Sequence, residues 1–420
     1  MRDAWLRYLA QARWFGAKGL DARVTELREL GWYVDDGDAA VRSELASVEL
    51  PEATQTYHLL VGYLPAGTAE PDALVGRTRL PGRGEVDVVD APRSPTAMAA
   101  LLRAIARPDV AGVAWREAPP APDLPVSVFA GEQSNTTVLI DGDVLMKVFR
   151  KLPDGPGVEA GLLDALGGTG LAPRLIGTIQ DPGSGRDLAL FCERVPDASD
   201  GWTLLTRACE RGEPAGELLC DLGATLRRLH LALADRFGAA TVPAATVTGA
   251  MHTRLDDACA DAPELANLRE PLSRVFGEVG DEPVEVQRIH GDFHLGQALF
   301  SPRGWTVIDF EGEPLKTSAQ RRAPDSRWRD VAGVLRSLDY ARQAHADPDG
   351  PAALAWVAAA RADLLRGYVG TAGDAPALLH AYEVDKAIYE FVYETRNRPD
   401  WARIPRHALE VEATTVRKSL

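Results

Sequence analysis

The segment Gln287–Pro314, QRIHGDFHLGQALFSPRGWTVIDFEGEP, constrains this chain more than any other. It places His290, Gly291 and Asp292 side by side, and a later apolar run ends on Asp309. This pattern predicts a loop, a turn and a short buried strand that delivers carboxylates at its end. The alternative is a solvated loop in which the acids have no chemical task.

The residue types along this segment favour the chemical interpretation. Asp292, Gln297 and Asp309 offer the hard oxygen atoms that Mg²⁺ prefers, with one acid left over as a base. Phosphoryl transfer from a nucleotide needs this set, because the acceptor hydroxyl must be oriented and the charge on the phosphates neutralised. We therefore predict that Asp292 is the base and that Gln297 and Asp309 are the metal ligands.

A second candidate site lies in the segment Phe129–Arg150, which predicts a β-hairpin. Its polar turn, residues 131–135, ends with Ser134 and Asn135 and is suited to lie over phosphates. Lys147 lies in an apolar strand, where an ammonium is costly unless it meets an anion. A single lysine in a strand is more often an exposed edge residue, so its position before a helix decides the interpretation.

The central segment also resembles a known family. HGD-x4-Q followed by IDFEG is similar to the HGD-x4-N and IDxE pair of the aminoglycoside phosphotransferase and choline kinase group. Together with RRAPDSRWRDVAGVLRS and YETRNRPDW, it resembles more narrowly the actinobacterial maltokinases and their glucosamine kinase relatives. Gln297 stands where the broad family has asparagine, and it keeps the amide oxygen that a metal needs.

The resemblance implies an α+β, bilobal, protein-kinase-like fold. Residues 1–90 would form a β-rich N-terminal cap, residues 91–197 the N-lobe, and residues 198–420 a mostly helical C-lobe with the sugar site.

The resemblance also implies that ATP lies between the lobes. Lys147 would hold the phosphates and pair with Glu159, beside the turn at Ser134 and Asn135. The strand that ends at Glu193 would be the hinge whose backbone contacts adenine.

A sugar subsite is predicted near the C-terminus, in Tyr382–Trp401. This segment predicts a helix with an aromatic side and a carboxylate-bearing side. Tyrosine stripes are more often core, but aromatic rings with nearby acids, amides and arginines suit a sugar. The predicted substrate residues are His294, Glu311, Tyr393, Glu394, Arg396 and Trp401.

The acceptor and two other function classes stay open. The resemblance offers glucosamine, phosphorylated at its 6-hydroxyl, or maltose, phosphorylated at its anomeric hydroxyl, and acids such as Glu311 and Glu394 favour the amino sugar. A metal-dependent hydrolase would use His290, Asp292, His294 and Asp309 as ligands of a catalytic metal. A kinase-like module that binds without catalysis is the third class.

Composition limits the partners. The 420 residues carry a net charge of −15, which argues against nucleic acid and anionic membranes as partners. The four cysteines show no CxxC spacing, and we see neither a signal peptide nor a membrane-spanning run. We predict a cytoplasmic enzyme with a small-molecule sugar and ATP as partners. The oligomeric state is open, and a monomer fits.

Several local patterns predict individual elements. Ala4–Trp14 predicts a helix, after which Trp14 and Phe15 would anchor it to a small sheet. Gly216–Phe237 has a leucine stripe and predicts a helix in which His230 is structural.

A further helix is predicted to begin near Trp328. We expect Asp325 or Ser326 to cap it, and Asp330 to suit the positive end of its dipole.

Overall fold

The computed structural model describes residues 1–51, 53–129, 134–314, 316–370 and 376–418. The chain divides into two compact units. The first unit is Met1–Gly167, Pro173–Pro196 and Thr317–Ala319, and the second is Gly168–Ala172, Asp197–Lys316 and Gln320–Leu420. The three-part division predicted from the sequence stays a prediction.

The first unit is built mainly from two antiparallel sheets. Its elements are α1 (Arg2–Gln11), β1 (Arg23–Asp36), β2 (Ala39–Glu49), β3 (Thr54–Pro65), β4 (Leu74–Leu80), β5 (Gly84–Asp90), α2 (Pro95–Ile105), β6 (Val113–Trp115), β7 (Val126–Val128), β8 (Thr136–Ile140), β9 (Val144–Val148), β10 (Lys151–Leu152), α3 (Glu159–Ala165), β11 (Leu175–Gln180) and β12 (Asp187–Glu193). One sheet has the order β1-β2-β3-β5-β4 with β10 paired to β3, and the other has the order β6-β11-β12-β9-β8-β7.

Aromatic packing attaches the N-terminal segment to the first sheet. Trp14 and Phe15 are buried after α1, with ring centroids 6.1 Å and 5.1 Å from that of Tyr57 in β3. Such rings bury a large apolar area and favour offset or tilted contact. The predicted aromatic anchor is confirmed.

A buried arginine joins the two sheets where β9 passes into β10. The Arg150 guanidinium donates to the Thr136 hydroxyl at 2.8 Å and to the Asp90 carboxylate at 2.9 Å. It also lies 4.6 Å from the Trp14 ring. A fully buried cation requires such partners, because an unpaired charge is costly away from water.

The second unit is mostly helical. The C-terminal half of the chain contains β13 (Ser199–Asp200), α4 (Gly201–Arg211), α5 (Gly216–Phe237), β14 (Ala239–Val242), α6 (Ala244–Asp261), α7 (Arg269–Gly277), β15 (Val284–Gln287), β16 (Ala298–Ser301), β17 (Gly304–Val307), α8 (Ser318–Arg322), α9 (Trp328–Ala341), α10 (Pro351–Val369), α11 (Ala377–Asn397) and α12 (Arg403–Lys418). None of the helices within the described ranges is long and apolar enough to span a membrane. The α+β class with a β-rich N-terminal part and a helical C-terminal part is confirmed.

Two glycines let α5 and α10 approach each other closely. A Cβ atom added at Gly223 would overlap the Leu364 carbonyl oxygen, and one at Gly367 would overlap that of Cys220. The leucine stripe of α5 is buried as its spacing predicts.

The cap predicted for α9 is wrong. The residue before the helix is Arg327, and no side chain caps it. The Asp325 backbone instead pairs with that of Gln287, and its carboxylate accepts a hydrogen bond from the Tyr382 hydroxyl. Tertiary partners have taken the group that local chemistry would assign to the helix end.

His58 in β3 is a buried neutral imidazole. Its Nδ1 lies 3.0 Å from the Phe149 carbonyl and its Nε2 lies 2.8 Å from the Ser43 hydroxyl. Since a carbonyl can only accept, Nδ1 carries the hydrogen and Nε2 accepts. Burial, with the Arg150 charge as the second cause, lowers the pKa of His58 to about 3.

We expect His58 to destabilise the fold as the pH falls. Its pKa is 6.5 in an unfolded chain and about 3 in the folded one, so the stability it contributes is present above pH 6.5 and lost towards pH 3. Between pH 7 and pH 5 the loss from this group is about 2 kcal/mol. Urea unfolding at both pH values measures it, with His58→Gln as the control. An equal loss in both proteins would contradict the assignment.

Candidate active site

The loop between β15 and β16 is held by His290. Its Nε2 donates to the Ile308 carbonyl at 3.0 Å, and its Nδ1 accepts from the Asp292 backbone N–H at 3.3 Å. The ring also packs against Phe293 and Phe310, with centroids 5.4 Å and 4.8 Å away. His290 therefore joins the Asp292 loop to the end of β17, and both of its nitrogens are engaged by the backbone.

A buried carboxylate of α9 supports the same loop from behind. Asp330 accepts the backbone N–H of His290 and that of Gly291, each at 2.8 Å. Gly291 has φ +88°, a left-handed conformation that residues with a Cβ rarely adopt. The role predicted for Asp330 at the helix dipole was incomplete, because its oxygens also fix this turn.

Asp330 is oriented in turn by His230. The His230 Nε2 lies 3.0 Å from the Asp330 carboxylate, and its Nδ1 lies 2.8 Å from the Tyr368 hydroxyl. Burial alone would raise the pKa of Asp330, but the interactions with His230 and with the Gly291 N–H outweigh it and lower the pKa. The structural role predicted for His230 is confirmed.

The two predicted metal ligands lie together at the end of this loop. The Gln297 amide nitrogen donates to the Asp309 carboxylate at 3.0 Å and lies 3.3 Å from His294 Nε2. Asp309 has φ +63°, so the chain turns sharply directly after the strand. Burial lowers the pKa of His294. An amide and a carboxylate side by side form a suitable donor set for a hard cation.

Asp292 lies beside the buried middle of α11. Lys386 donates to one Asp292 oxygen at 2.9 Å and to Glu313 at 2.7 Å. Arg329 contacts both Glu313 oxygens, at 2.9 Å and 2.7 Å. Burial would raise the pKa of Glu313, but these cations lower it far below its usual value. Lys316 adds a contact of 3.2 Å to the same carboxylate.

The predicted sugar residues fall on two sides of α11. Glu394 is buried and bonds Arg398 at 2.7 Å, and the Arg398 guanidinium lies 5.7 Å from the Tyr393 ring and 5.8 Å from the Trp401 ring. Arg396 instead bonds Asp261 at 2.7 Å. Positions two apart on a helix point in nearly opposite directions. Glu394, Tyr393 and Trp401 are thus brought together, and Arg396 is not among them.

A cavity of about 540 Å³ opens within the second unit. Its walls include Gly291, Glu313, Tyr389 and Arg396. The Asp292 loop and the Arg396 side of α11 therefore border the same space.

Glu311 is another of the predicted substrate residues. Its backbone carbonyl accepts a hydrogen bond from the Arg321 guanidinium at 3.3 Å.

The nucleotide residues predicted in the first unit form one close pair. Lys147 in β9 bonds Glu159 at the start of α3, with 2.7 Å between Nζ and Oε2. The exposed fractions of the two side chains are 16% and 6%, so the lysine is not an exposed edge residue. The predicted Lys147–Glu159 contact is present.

The predicted phosphate turn is described in part. Residues 131–133 lie outside the described residues. Ser134 is exposed, while Asn135 is buried and accepts the Arg150 backbone N–H at 3.1 Å. Asn135 thereby joins the end of this turn to the strand of Lys147.

Glu193 ends β12 as predicted. Its backbone N–H donates to the Arg174 carbonyl, and its side chain accepts from the Arg174 guanidinium, each at 3.0 Å.

Sequence reasoning missed Lys386, Asp330 and Glu313 as parts of the site. One signal was present for Lys386. It follows Asp385 in a helix whose other inward positions, such as Ile388 and Phe391, are apolar. Adjacent charges on a buried helix face need partners, but the sequence alone does not identify those partners.

Comparison with known proteins finds two family matches along the chain. Residues 125–312 match the phosphotransferase enzyme family, and residues 8–93 match the maltokinase N-terminal cap domain. The first match contains both Lys147 and the Asp292 loop.

Two curated relatives are glucosamine kinases. The protein from Streptacidiphilus jiangxiensis is 29% identical, with 73% of this chain and 78% of the relative covered. The protein from Mycolicibacterium smegmatis is 28% identical, with 71% and 81% covered. A solved structure of a glucosamine kinase in complex with glucosamine, ADP and inorganic phosphate has a TM-score of 0.65 and 25% identity, with 97% of this chain and 98% of the other covered.

We expect Asp330→Asn to destabilise the second unit. The amide can accept one backbone N–H but presents N–H groups to the other, which leaves a buried donor unsatisfied at a cost of about 1–3 kcal/mol. Urea unfolding measures the loss. Asp363→Asn is the control, because Asp363 pairs with exposed Arg366 on α10 and should change stability by less than about 0.5 kcal/mol. Equal effects in the two variants would show that Asp330 does not hold the turn.

Proposed function

Because the chain joins a maltokinase-type N-terminal cap to a domain of the phosphotransferase enzyme family, we propose that it is an ATP- and Mg²⁺-dependent sugar kinase that phosphorylates glucosamine at its 6-hydroxyl. One observation carries the proposal. Asp292 lies on a loop that is fixed from both sides, and Gln297 at the end of that loop contacts Asp309, which follows β17. The glucosamine kinases among the relatives support this acceptor.

Asp292 would orient the sugar hydroxyl and accept its proton. Gln297 and Asp309 would hold Mg²⁺ through the amide oxygen and a carboxylate oxygen, since the Gln297 nitrogen already donates to Asp309. When bound, the ion would neutralise charge on the phosphates.

Lys147 would contact the phosphates, held in place by Glu159. Ser134 and Asn135 would lie beside them, and the backbone near Glu193 would contact the base. We place the reaction in the cytoplasm, where the four free cysteines are stable as thiols.

The acceptor preference is supported by Glu394. Its Oε1 bonds Arg398, but its Oε2 is buried without a hydrogen-bond partner in the described part of the chain. Burial raises the pKa of Glu394. A buried acceptor of this kind suits a ligand donor, such as a sugar ammonium or hydroxyl. Tyr393 and Trp401 would pack on the ring, with His294 and Glu311 at other edges. Arg396 bonds Asp261 on the other side of α11 and would not contact the same ring.

A maltokinase is the second candidate, and the match of residues 8–93 favours it. A metal-dependent hydrolase fits less well, because both nitrogens of His290 are engaged by the backbone. A binding module without catalysis would have no use for Lys147, Asp292 and Asp309 together.

A sugar panel tests the proposed function. ADP release is measured with glucosamine, maltose, glucose and no sugar, and ³¹P NMR identifies the phosphorylated hydroxyl. We expect glucosamine-dependent ADP and glucosamine 6-phosphate. Turnover with maltose alone would select the second candidate. ADP release without sugar would favour a hydrolase, and no turnover with any sugar would reject the kinase.

Asp292→Asn should lower kcat for glucosamine by about 10² to 10⁴-fold and change KM much less, because a general base stabilises the transition state and not the bound substrate. Steady-state kinetics measure both constants. Asp339→Asn on α9 is the control, since Asp339 pairs with Arg336. Undiminished turnover in the Asp292 variant would reject Asp292 as the base.

A further inference from the structure

We propose that Lys386 positions Asp292, holding one carboxylate oxygen so that the other receives the proton of the acceptor hydroxyl. This inference rests on the proposed function and deepens it, since it adds a residue from a different helix to the same site. Lys386 is a positioning residue, because its contacts are with Asp292 and Glu313.

The contacts make the two Asp292 oxygens unequal. Lys386 Nζ lies 2.9 Å from Oδ1. Among the described residues, no other group hydrogen-bonds this carboxylate, so Oδ2 is the oxygen that remains for a substrate. The Asp292 side chain keeps 21% of its surface exposed, while the Lys386 side chain keeps 9%. The lysine therefore approaches from the protein side.

Lys386 is held by a second carboxylate. Glu313 accepts from it at 2.7 Å and is itself bound by Arg329 through both oxygens. A lysine side chain is normally flexible, with four rotatable bonds. Here the fully buried Glu313 fixes its end, and the Tyr389 ring lies 4.9 Å from the ammonium. The position of Asp292 is thus tied to the helix pair α9 and α11.

The charge of Lys386 is as important as its position. Burial would lower the pKa of Lys386, but Asp292 and Glu313 outweigh burial and raise it above its ordinary value. The ammonium stays charged at any working pH and favours the ionised form of a neighbouring carboxylate. A base must be ionised to accept a proton, and the Lys386 ammonium lies 2.9 Å from the carboxylate that would serve as this base.

Other charged groups surround this pair and belong to the same balance. Behind Lys386 lie Arg329 and Asp385, at 3.1 Å from each other, and Lys316 beside Glu313. Around the loop lie the titratable groups His290, His294 and Asp309. A change at Lys386 alters one member of this set and leaves the others in place.

The proposed reaction transfers the terminal phosphoryl group of ATP to the sugar hydroxyl. The sugar oxygen forms a bond to the terminal phosphorus of ATP, and the bond from that phosphorus to the bridging oxygen breaks, releasing ADP. The hydroxyl proton passes to Asp292 Oδ2 and then to solvent. Lys386 neither gains nor loses a proton. Its effect is on the geometry and ionisation of the acceptor of that proton.

Lys386→Met removes the ammonium and keeps most of the apolar stem. We expect kcat to fall on the order of 100-fold, because a displaced catalytic group loses its near-attack geometry. KM for ATP should change little. The acidic limb of the kcat/KM profile should move to higher pH, which loss of packing alone would not cause.

Lys386→Arg is the second variant, since it keeps the charge and changes the geometry. We expect a smaller fall in kcat and an acidic limb near that of the unchanged protein. If Lys386→Met folds poorly, as judged by its melting curve, the Arg variant alone gives the decision. An acidic limb that moves despite the retained charge would overturn the proposal.

Arg361→Met is the matched control. Arg361 pairs from α10 with Glu383, one turn before Lys386 on α11. This variant removes a cation that pairs with α11 from a neighbouring helix without touching Asp292, and it should keep kcat and the pH profile. If the unchanged protein phosphorylates glucosamine but Lys386→Met keeps its kcat and acidic limb, the inference fails and the proposed function stands. If the unchanged protein has no sugar kinase activity, the proposed function itself fails.

Discussion

Buried carboxylates that accept hydrogen bonds from neighbouring groups hold the candidate active site of the second unit together. Asp330 accepts hydrogen bonds from two successive backbone N–H groups at the turn of the Asp292 loop. Glu313 accepts hydrogen bonds from the cationic side chains of Arg329 and Lys386. Each is costly to bury alone and stabilising only with its partners present. The loop is therefore held by buried charged groups as well as by the packing of His290 against Phe293 and Phe310.

The first unit follows the same physical rule on a different scaffold. Arg150 is buried against Asp90 and Thr136, and Lys147, three residues earlier, is half-buried against Glu159. The two cations flank the short stretch where β9 ends. Since Asn135 bonds the Arg150 backbone, the start of β8 is tied to the same point. In each unit, the polar side chains of the candidate site lie on short segments next to a buried ion pair.

The sequence predictions succeeded where local patterns carry the information. The helix at α5, the hairpin strands β8 and β9, and the aromatic anchor at Trp14 all follow from spacing and turn residues. The motif around Asp292 indicated the residue types of the site, and Gln297 and Asp309 do lie together. The cap of α9 failed because Asp325 has a tertiary partner in Tyr382. Local capping preference is weak against a buried hydrogen bond.

The sequence by itself determined the order of the elements, the α+β class and the residue types at the Asp292 loop, because periodicity and motif spacing are properties of nearby positions. The tertiary structure alone decided that Lys386 contacts Asp292, although 94 positions separate them, and that Glu394 and Arg396 face different ways. The partner of a buried charge depends on which helices pack together. That packing depends on the whole chain, so no short segment encodes it.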